Sequence, residues 1–199
     1  MKKIILIGLA LLIAVFFMAC PEKKANEVPA PAAAAISAET PAISVGRTIA
    51  AVSSDYAART KRPANAAKAP DFSLPDLKGG KINLADYKGK VIILDFWATW
   101  CPPCKAEVPG FVALHDKHAK DGVVMIGAAI DDVDKVKSFV KRNNVDYLVC
   151  IADQATTGNY GGIRGIPTTF VIDKEGYIVR EYVGFRPEEL FEQDIKDLM

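Results

Sequence analysis

This sequence has few cysteines and histidines and almost no excess charge of either sign. Its 199 residues include four cysteines and two histidines, its formal net charge is +1, and it contains no glycine-rich phosphate loop or internal repeat. A net charge so close to zero gives no strong field for nucleic acid or acidic ligands. Neither His115, His118 nor Cys150 has the spacing of a zinc site. We therefore expect no nucleic-acid partner, no metal and no organic cofactor.

Length and composition indicate one globular domain with additional sequence. Half of the residues are hydrophobic and a quarter are charged, which is the balance of an ordinary folded protein. A chain of 199 residues is longer than one small domain requires and short for two. We expect a single core and a monomer.

The N-terminus has the pattern of an export signal. Two lysines precede an uncharged run that extends from Ile4 to Ala19 and ends at Cys20. We assign residues 1–20 to a signal peptide or membrane anchor, which places the folded part outside the cytoplasm, on the periplasmic side of a bacterial membrane. The Ala19-Cys20 pair resembles a lipobox and predicts lipidation of Cys20; an uncleaved anchor and free secretion are the alternatives.

A linker follows the signal. Residues 21–69 are dominated by alanine and proline and have no sustained apolar period, which is typical of a flexible connection. The globular domain is assigned to residues 70–199. The catalytic part is then able to meet partners some distance from the membrane.

Apolar patterns within residues 70–199 alternate between strand and helix. A hairpin with a Gly-Gly turn comes first, and the central strand is a nearly continuous apolar run. The expected strands are 72–74, 81–84, 91–97, 123–130, 147–151, 169–172 and 177–179. The expected helices are 102–120, kinked at Pro109, then 133–143 and one opened by Pro187. We predict an α/β fold with a mixed sheet, helices on both faces and an N-terminal β-hairpin.

The chemistry is expected at Cys101 and Cys104, where a buried strand meets the start of a helix. Two cysteines three residues apart at a helix N-terminus are able to close a disulfide with little backbone change. The helix dipole and its free N–H groups stabilise a thiolate on the first of them. Cys101 is therefore predicted to attack a partner disulfide and Cys104, one turn inside, to resolve the mixed disulfide. A purely structural disulfide is the alternative.

Two linked motifs resemble those of a known family. The segment Phe96-Trp-Ala-Thr-Trp-Cys-Pro-Pro-Cys104 and the later Gly165-Ile-Pro-Thr-Thr-Phe170 are similar to the thioredoxin superfamily, in particular to its TlpA/ResA-like branch of exported disulfide reductases. The resemblance covers about residue 70 to the C-terminus. It implies a thioredoxin fold, dithiol–disulfide exchange on protein substrates, and electrons supplied by a membrane dithiol donor.

The resemblance also implies residue roles. Pro167 is expected to be a cis-proline that faces the dithiol, and Ile166 to present its backbone to a bound peptide. Glu107 matches a glutamate beside the active-site helix that is able to exchange a proton with Cys104; a solvated helix charge is the alternative. Substrate contacts are assigned to these two residues of the second motif together with Trp100, Pro102 and Pro103. Trp97 is expected either to contact the substrate or to pack in the core.

Asp95 interrupts the apolar central strand, where burial of a charged carboxylate is costly. It matches the buried aspartate of thioredoxin itself. The neighbouring strand, residues 123–130, contains no lysine to pair with it. We therefore predict a raised pKa for Asp95 and a role as proton acceptor for Cys104 through water.

The other polar candidates are expected to be structural. His115 and His118 lie three residues apart on one helix and are expected in solvent. Cys150 falls in an apolar strand and is expected to be a buried thiol, with a third redox sulfur as the alternative.

The predicted function is therefore an extracytoplasmic disulfide reductase that acts on protein thiols and disulfides, with apocytochrome c before haem attachment as one candidate substrate. The reductive direction rests on the resemblance alone. A thiol oxidase or isomerase of exported proteins, a peroxiredoxin-like peroxide reductase and a tethered adaptor without activity are the alternatives. The peroxidase reading is disfavoured because Ala98, Thr99 and Trp100 do not supply a peroxidatic motif.

Overall fold

The structure is a computed structural model of the chain and describes residues 62–199. The predictions for the signal or anchor, for Cys20 and for linker residues 21–61 lie outside the described residues. Within the part that the structure describes, no helix combines the length and the apolar composition needed to cross a membrane.

Seven strands and four helices make up the domain. The strands are β1 Ser73–Pro75, β2 Lys81–Asn83, β3 Val91–Trp97, β4 Val123–Ala129, β5 Leu148–Ile151, β6 Thr168–Ile172 and β7 Ile178–Val183. The helices are α1 Pro102–His118, α2 Val133–Arg142, α3 Gln154–Asn159 and α4 Glu188–Leu198, with 3-10 turns at Leu84–Tyr87 and Ala119–Asp121.

The central sheet has the strand order β5-β4-β3-β6-β7. β3 pairs in parallel with β4 and antiparallel with β6, so the sheet is mixed, as predicted. Every residue of β3 is buried because both faces of the sheet are covered, which explains its nearly continuous apolar sequence. β1 and β2 form a separate antiparallel hairpin beside β5.

Alternate residues of β3 enter two cores. Ile93 and Trp97 pack on one face with Phe111 of α1 and Phe191 of α4. Residues of even number in β3, such as Phe96, pack on the other face under the N-terminal hairpin. Asp95 has the same parity as Ile93 and Trp97, so the pleat places its carboxylate on the face that α1 covers. β3 therefore carries Asp95 on the face of the sheet that α1 covers.

Two local features differ from the sequence prediction. The glycine-rich segment after β5 contains the short helix α3, which Asp153 caps by accepting the Thr156 N–H at 2.7 Å. An aspartate three residues before a threonine is a cap signal that the glycines obscured. Residues 62–69, assigned to the linker, contact the β6–β7 turn: Arg62 Nε donates to Asp173 at 2.7 Å, and the Ala69 N–H donates to the Gly176 carbonyl.

Gly127 of β4 leaves room for the Trp97 indole. A Cβ added to Gly127 would lie 2.9 Å from Trp97 Nε1 and 3.3 Å from Tyr147 Cε2, both in buried rings. We expect Gly127→Ala to lower the free energy of unfolding by about 1–3 kcal/mol, because neither ring has free space to move into. Urea unfolding measures this loss.

The matched control is Gly158→Ala, since no atom lies within 4 Å of a Cβ added there and the residue is in a helix. Alanine at this position should leave the free energy of unfolding unchanged or raise it slightly. A Gly127→Ala protein as stable as the unaltered chain would show that the Trp97 ring is able to shift.

Candidate active site

Cys101 and Cys104 form a disulfide at the start of α1, with a Cα–Cα distance of 5.3 Å. Cys101 is the N-cap residue, and the two prolines that follow it occupy the first helical turn, where no intrahelical N–H partner is needed. The backbone N–H of Cys104 donates to the sulfur of Cys101 at 3.2 Å. A thiolate on Cys101 would receive this bond together with the positive end of the helix dipole.

The second motif lies directly against the dithiol. The Ile166–Pro167 peptide bond is cis, which is the isomer that the resemblance implied. The carbonyl oxygen of Ile166 is 3.6 Å from Cys101 Sγ, and the carbonyl of Pro167 accepts the Gly184 N–H at 2.8 Å. The loop after β7 is therefore joined to the same site, a contact that no local sequence pattern indicates.

The surface around the disulfide is apolar and exposed. Trp100 is 63% exposed, and both prolines of the dithiol motif are exposed beside it. Cys101 itself is 3% exposed, so only an edge of its sulfur reaches solvent in the oxidised protein. Trp97 is fully buried and packs on Phe139 with ring centroids 5.2 Å apart. Trp100 is thus available to a substrate, and Trp97 belongs to the core.

Asp95 is buried below the dithiol. Thr169 Oγ1 donates to Asp95 Oδ1 at 3.2 Å across the β3–β6 pair. Burial raises the pKa of Asp95 well above its ordinary value, the nearby Glu107 carboxylate raises it further, and the bond from Thr169 offsets only part of this. The raised pKa agrees with the expectation from the lone acid in the apolar strand.

Glu107 is buried on α1, one turn after Cys104. The backbone N–H of Arg186 donates to its Oε1 at 2.6 Å, and its Oε2 is buried without a hydrogen-bond partner. Burial raises the pKa of Glu107 to about 7, against the lowering effect of Arg186. A solvated helix charge does not describe this residue. Its contact with Arg186 joins residues far apart in sequence, so no local pattern indicates it.

Two buried acids with raised pKa values, Asp95 and Glu107, thus lie on the same side of the central sheet as Cys104. The Glu107 carboxylate raises the pKa of Asp95, so the protonation states of the two groups are linked. Cys104 belongs to the core cluster on their face of the sheet. At neutral pH such a pair is able to hold or release a proton when a buried thiol changes state, because at least one carboxyl titrates near pH 7.

Asp131, at the end of β4, was missed by the sequence reading. Its carboxylate accepts hydrogen bonds from the backbone N–H of Thr99, at 3.1 Å, and from the Thr99 hydroxyl. Burial is the largest single influence and would raise the pKa of Asp131, but the bonds from the Thr99 hydroxyl and from the Asp132 and Thr99 N–H groups together outweigh it and lower the pKa. Asp131 therefore holds the loop that carries Trp100 and Cys101.

The remaining candidates lie away from the dithiol or are inert. His118 is buried, not solvated as expected, because its Nε2 lies 2.7 Å from a Glu192 carboxylate oxygen. Cys150 is a buried free thiol whose pKa burial raises to about 12, so it has no thiolate to offer at neutral pH. Among residues 62–199, no three His, Cys, Asp or Glu side chains form a group that could hold a metal.

Comparisons with known proteins agree with this geometry. Residues 66–181 match the AhpC/TSA family. The thiol-disulfide oxidoreductase ResA of Bacillus thuringiensis subsp. konkukian is 38% identical over 132 residues, which cover 66% of this chain and 76% of that protein. The thioredoxin-like protein YneN of Bacillus subtilis is 33% identical over 132 residues, which cover 64% and 76%.

Solved structures give the same result for the fold. A thiol:disulfide interchange protein of the thioredoxin family from Chlorobium tepidum superposes with a TM-score of 0.65 at 34% identity, over 68% of this chain and 98% of that one. A DsbF homologue from Corynebacterium diphtheriae superposes with a TM-score of 0.63 at 25% identity, over 69% and 90%. The predicted thioredoxin fold is thus confirmed by proteins of known structure.

Proposed function

We propose that this chain, which belongs to the AhpC/TSA family and is a thiol–disulfide oxidoreductase, works as a reductase of disulfides in exported proteins. The observation that carries the proposal is the Cys101 sulfur, which accepts a helix N–H bond and lies against the backbone of a cis-proline motif. An activated sulfur beside the partly exposed backbone of Ile166 suits a protein disulfide better than a small oxidant.

The proposed reaction has two exchange steps. The Cys101 thiolate attacks one sulfur of the substrate disulfide; the substrate S–S bond breaks, and its other sulfur leaves as a thiolate that takes up a proton. Cys104 then loses its proton to the buried carboxyl pair of Asp95 and Glu107 and attacks Cys101. The mixed disulfide breaks, the second substrate thiol is released, and the enzyme disulfide seen in the structure is formed. No cofactor is required.

Substrate contact is proposed at the exposed edge of the site. Ile166 offers its backbone to an extended segment of substrate, and Pro167 fixes the direction of that backbone. Trp100 supplies a rigid apolar surface, and Pro102 and Pro103 lie exposed beside the dithiol. Because proline side chains have little conformational freedom, substrate binding costs little entropy at these two residues.

The direction of electron flow is proposed from the acids near the dithiol. A strong oxidant such as DsbA stabilises its reduced form with a very acidic thiol. Here the neighbouring groups are two carboxyls, and ionisation of either disfavours a thiolate close by. A reduced dithiol that is less stabilised shifts the equilibrium between dithiol and disulfide toward the disulfide, and the protein is then a better reductant. The names of the relatives do not state a direction.

The reduction potential tests this proposal. We expect equilibration with glutathione to give a value below about −200 mV, on the side of thioredoxin at about −270 mV. The control is the same measurement on Glu107→Gln, which removes one acid and should give a less negative value. A potential close to the roughly −120 mV of DsbA would instead assign the protein to thiol oxidation.

The cellular setting is proposed from the N-terminal sequence. An export signal followed by Cys20 would anchor a monomer to the outer side of a bacterial membrane, where a membrane dithiol would supply electrons and apocytochrome c would be one substrate. The described part of the chain is consistent with a dithiol that faces away from the membrane. Arg62 contacts the β6–β7 turn, which lies beside the start of β3, whereas the dithiol follows the end of β3. Seven residues of strand separate the two by about 20 Å.

The setting is testable in cells. Cys20→Ala should release the protein from the membrane fraction if Cys20 carries lipid, and metabolic labelling with a palmitate analogue should mark only the unaltered chain. Retention of the Cys20→Ala protein in the membrane would indicate an uncleaved anchor.

A further inference from the structure

We infer that the groove between α1 and α2 binds an acidic segment of the protein substrate, next to the dithiol. The inference rests on the proposed function and adds the chemistry of the partner. It concerns a surface separate from the edge formed by Ile166 and Pro167.

The groove borders the reactive residues. It has a volume of about 620 Å³ and runs from Thr99, two residues before Cys101, along Lys105, the residue after Cys104, to the outer surface of α2. Phe139 forms its base and packs on Trp97. A peptide whose disulfide meets Cys101 would therefore pass close to this groove.

The position of the groove relative to the sheet follows from the topology. α2 follows β4, which pairs with one edge of β3, whereas Ile166 and Pro167 precede β6, which pairs with the other edge. The groove and the cis-proline edge thus lie on opposite sides of the dithiol. A bound segment is able to contact both without competition.

The groove carries unpaired positive charge. Its three cations, Lys105, Lys135 and Arg142, are exposed, and none has a carboxylate within 4.0 Å among the described residues. Asp134 is the one acid in the lining. The groove is therefore cationic although the whole chain is nearly neutral.

The negative charges of Asp131 and Asp132 offset part of this positive charge, but neither residue lines the groove. The Asp131 carboxylate accepts bonds from Thr99 and from the Asp132 N–H, although Lys135 also acts on it electrostatically. The Asp132 carboxylate caps α2 by accepting the N–H groups of Asp134 and Lys135. Both carboxylates thus accept hydrogen bonds from the protein's own N–H groups, and Asp131 also accepts one from the Thr99 hydroxyl. The free hydrogen-bond donors of the groove are cationic, which suits glutamate and aspartate side chains of a partner.

Two disulfide peptides test the inference. They share one closed Cys-x-x-Cys sequence, flanked on both sides by three glutamates in one peptide and by three glutamines in the other. We expect kcat/KM of the reduced protein to be about tenfold higher for the glutamate peptide at low salt, because charge complementarity speeds encounter. The ratio should fall to about 2 in 0.5 M NaCl, where screening is strong.

The double variant Lys135→Gln/Arg142→Gln should bring the ratio close to 1 at low salt. The matched control is Lys88→Gln/Lys90→Gln, which removes the same charge from two exposed lysines just before β3, at the other end of the strand from the dithiol. Its ratio should stay near 10, since a Debye length of about 10 Å limits the reach of these charges.

Each outcome bears on a different claim. A ratio near 1 in the unaltered protein, or a preference that survives in Lys135→Gln/Arg142→Gln, would overturn the acidic-segment site and leave the reductase proposal intact. Failure to reduce either peptide would refute the reductase and this surface together. A preference lost equally in both double variants would show a general charge effect and would also overturn the site.

Discussion

Replacement of Cys101 by alanine should abolish disulfide exchange, with a loss of rate on the order of 10⁴-fold or more, because removal of a nucleophile leaves no alternative path. Cys101 is assigned as the nucleophile because its sulfur accepts the Cys104 N–H at 3.2 Å at the start of α1 and lies beside the Ile166 carbonyl. Reduction of insulin disulfides by a thiol donor measures the loss.

Replacement of Cys104 by alanine should have a different result. The first exchange step needs only Cys101, so the Cys104→Ala protein should form a mixed disulfide with its substrate and fail to release it. Multiple turnover should fall by a similar factor, while a covalent adduct accumulates on non-reducing gels. The trapped partners, identified by mass spectrometry, would name the physiological substrates.

Cys150→Ala is the matched control for both variants. Its thiol is buried, and burial raises its pKa to about 12, so exchange activity should be unaltered. If Cys104→Ala retained full turnover, a different sulfur would have to resolve the mixed disulfide, and Cys150 would return as the candidate. Adducts formed equally by the Cys101→Ala and Cys104→Ala proteins would contradict the assigned roles of the two cysteines.

Stability should depend on pH through Glu107. Its ordinary pKa is 4.5, and burial raises it to about 7 in the folded protein. Between these values the folded state binds more protons than the unfolded state, so the free energy of unfolding falls as pH rises. The contribution is fully present below pH 4.5 and lost above about pH 7. The difference corresponds to about 3 kcal/mol.

Glu107→Gln should remove most of this dependence. A glutamine is neutral at every pH and its amide oxygen is still able to accept the Arg186 N–H bond that Glu107 Oε1 accepts at 2.6 Å. Urea unfolding of the oxidised protein between pH 4.5 and 8 measures the effect, since the two cysteines of the disulfide do not titrate. Asp95→Asn should flatten the curve further, because the pKa of Asp95 is raised in the same direction.

Glu189→Gln is the control for this series. Glu189 lies near the start of α4 but is exposed, so its replacement should leave the slope of stability against pH unchanged. Equal slopes in the Glu107→Gln and unaltered proteins would mean that Glu107 is hydrated in solution, and its role as a proton acceptor would then have no basis.

The order of strands and helices was predictable from residues alone, because each depends on short-range patterns. Val91–Trp97 is apolar along its whole length, as a strand covered on both faces must be. The two prolines directly after Cys101 are tolerated in the first turn of a helix, where no intrahelical N–H partner is needed. The dithiol chemistry was equally local, since two cysteines three residues apart at a helix start carry their own geometry and electrostatics. Asp95 was visible as one acid in an apolar run.

What the tertiary structure decided are the contacts that join distant residues. The Arg186 N–H bond to Glu107, the Asp131 bonds to Thr99 and the groove between α1 and α2 each unite segments that no periodicity connects. His118 was expected in solvent because its burial depends on Glu192 of another helix. Sequence patterns record how a residue relates to its near neighbours along the chain. The charge that surrounds a residue, and hence its pKa and its partners, depends on how the sheet and helices close around it.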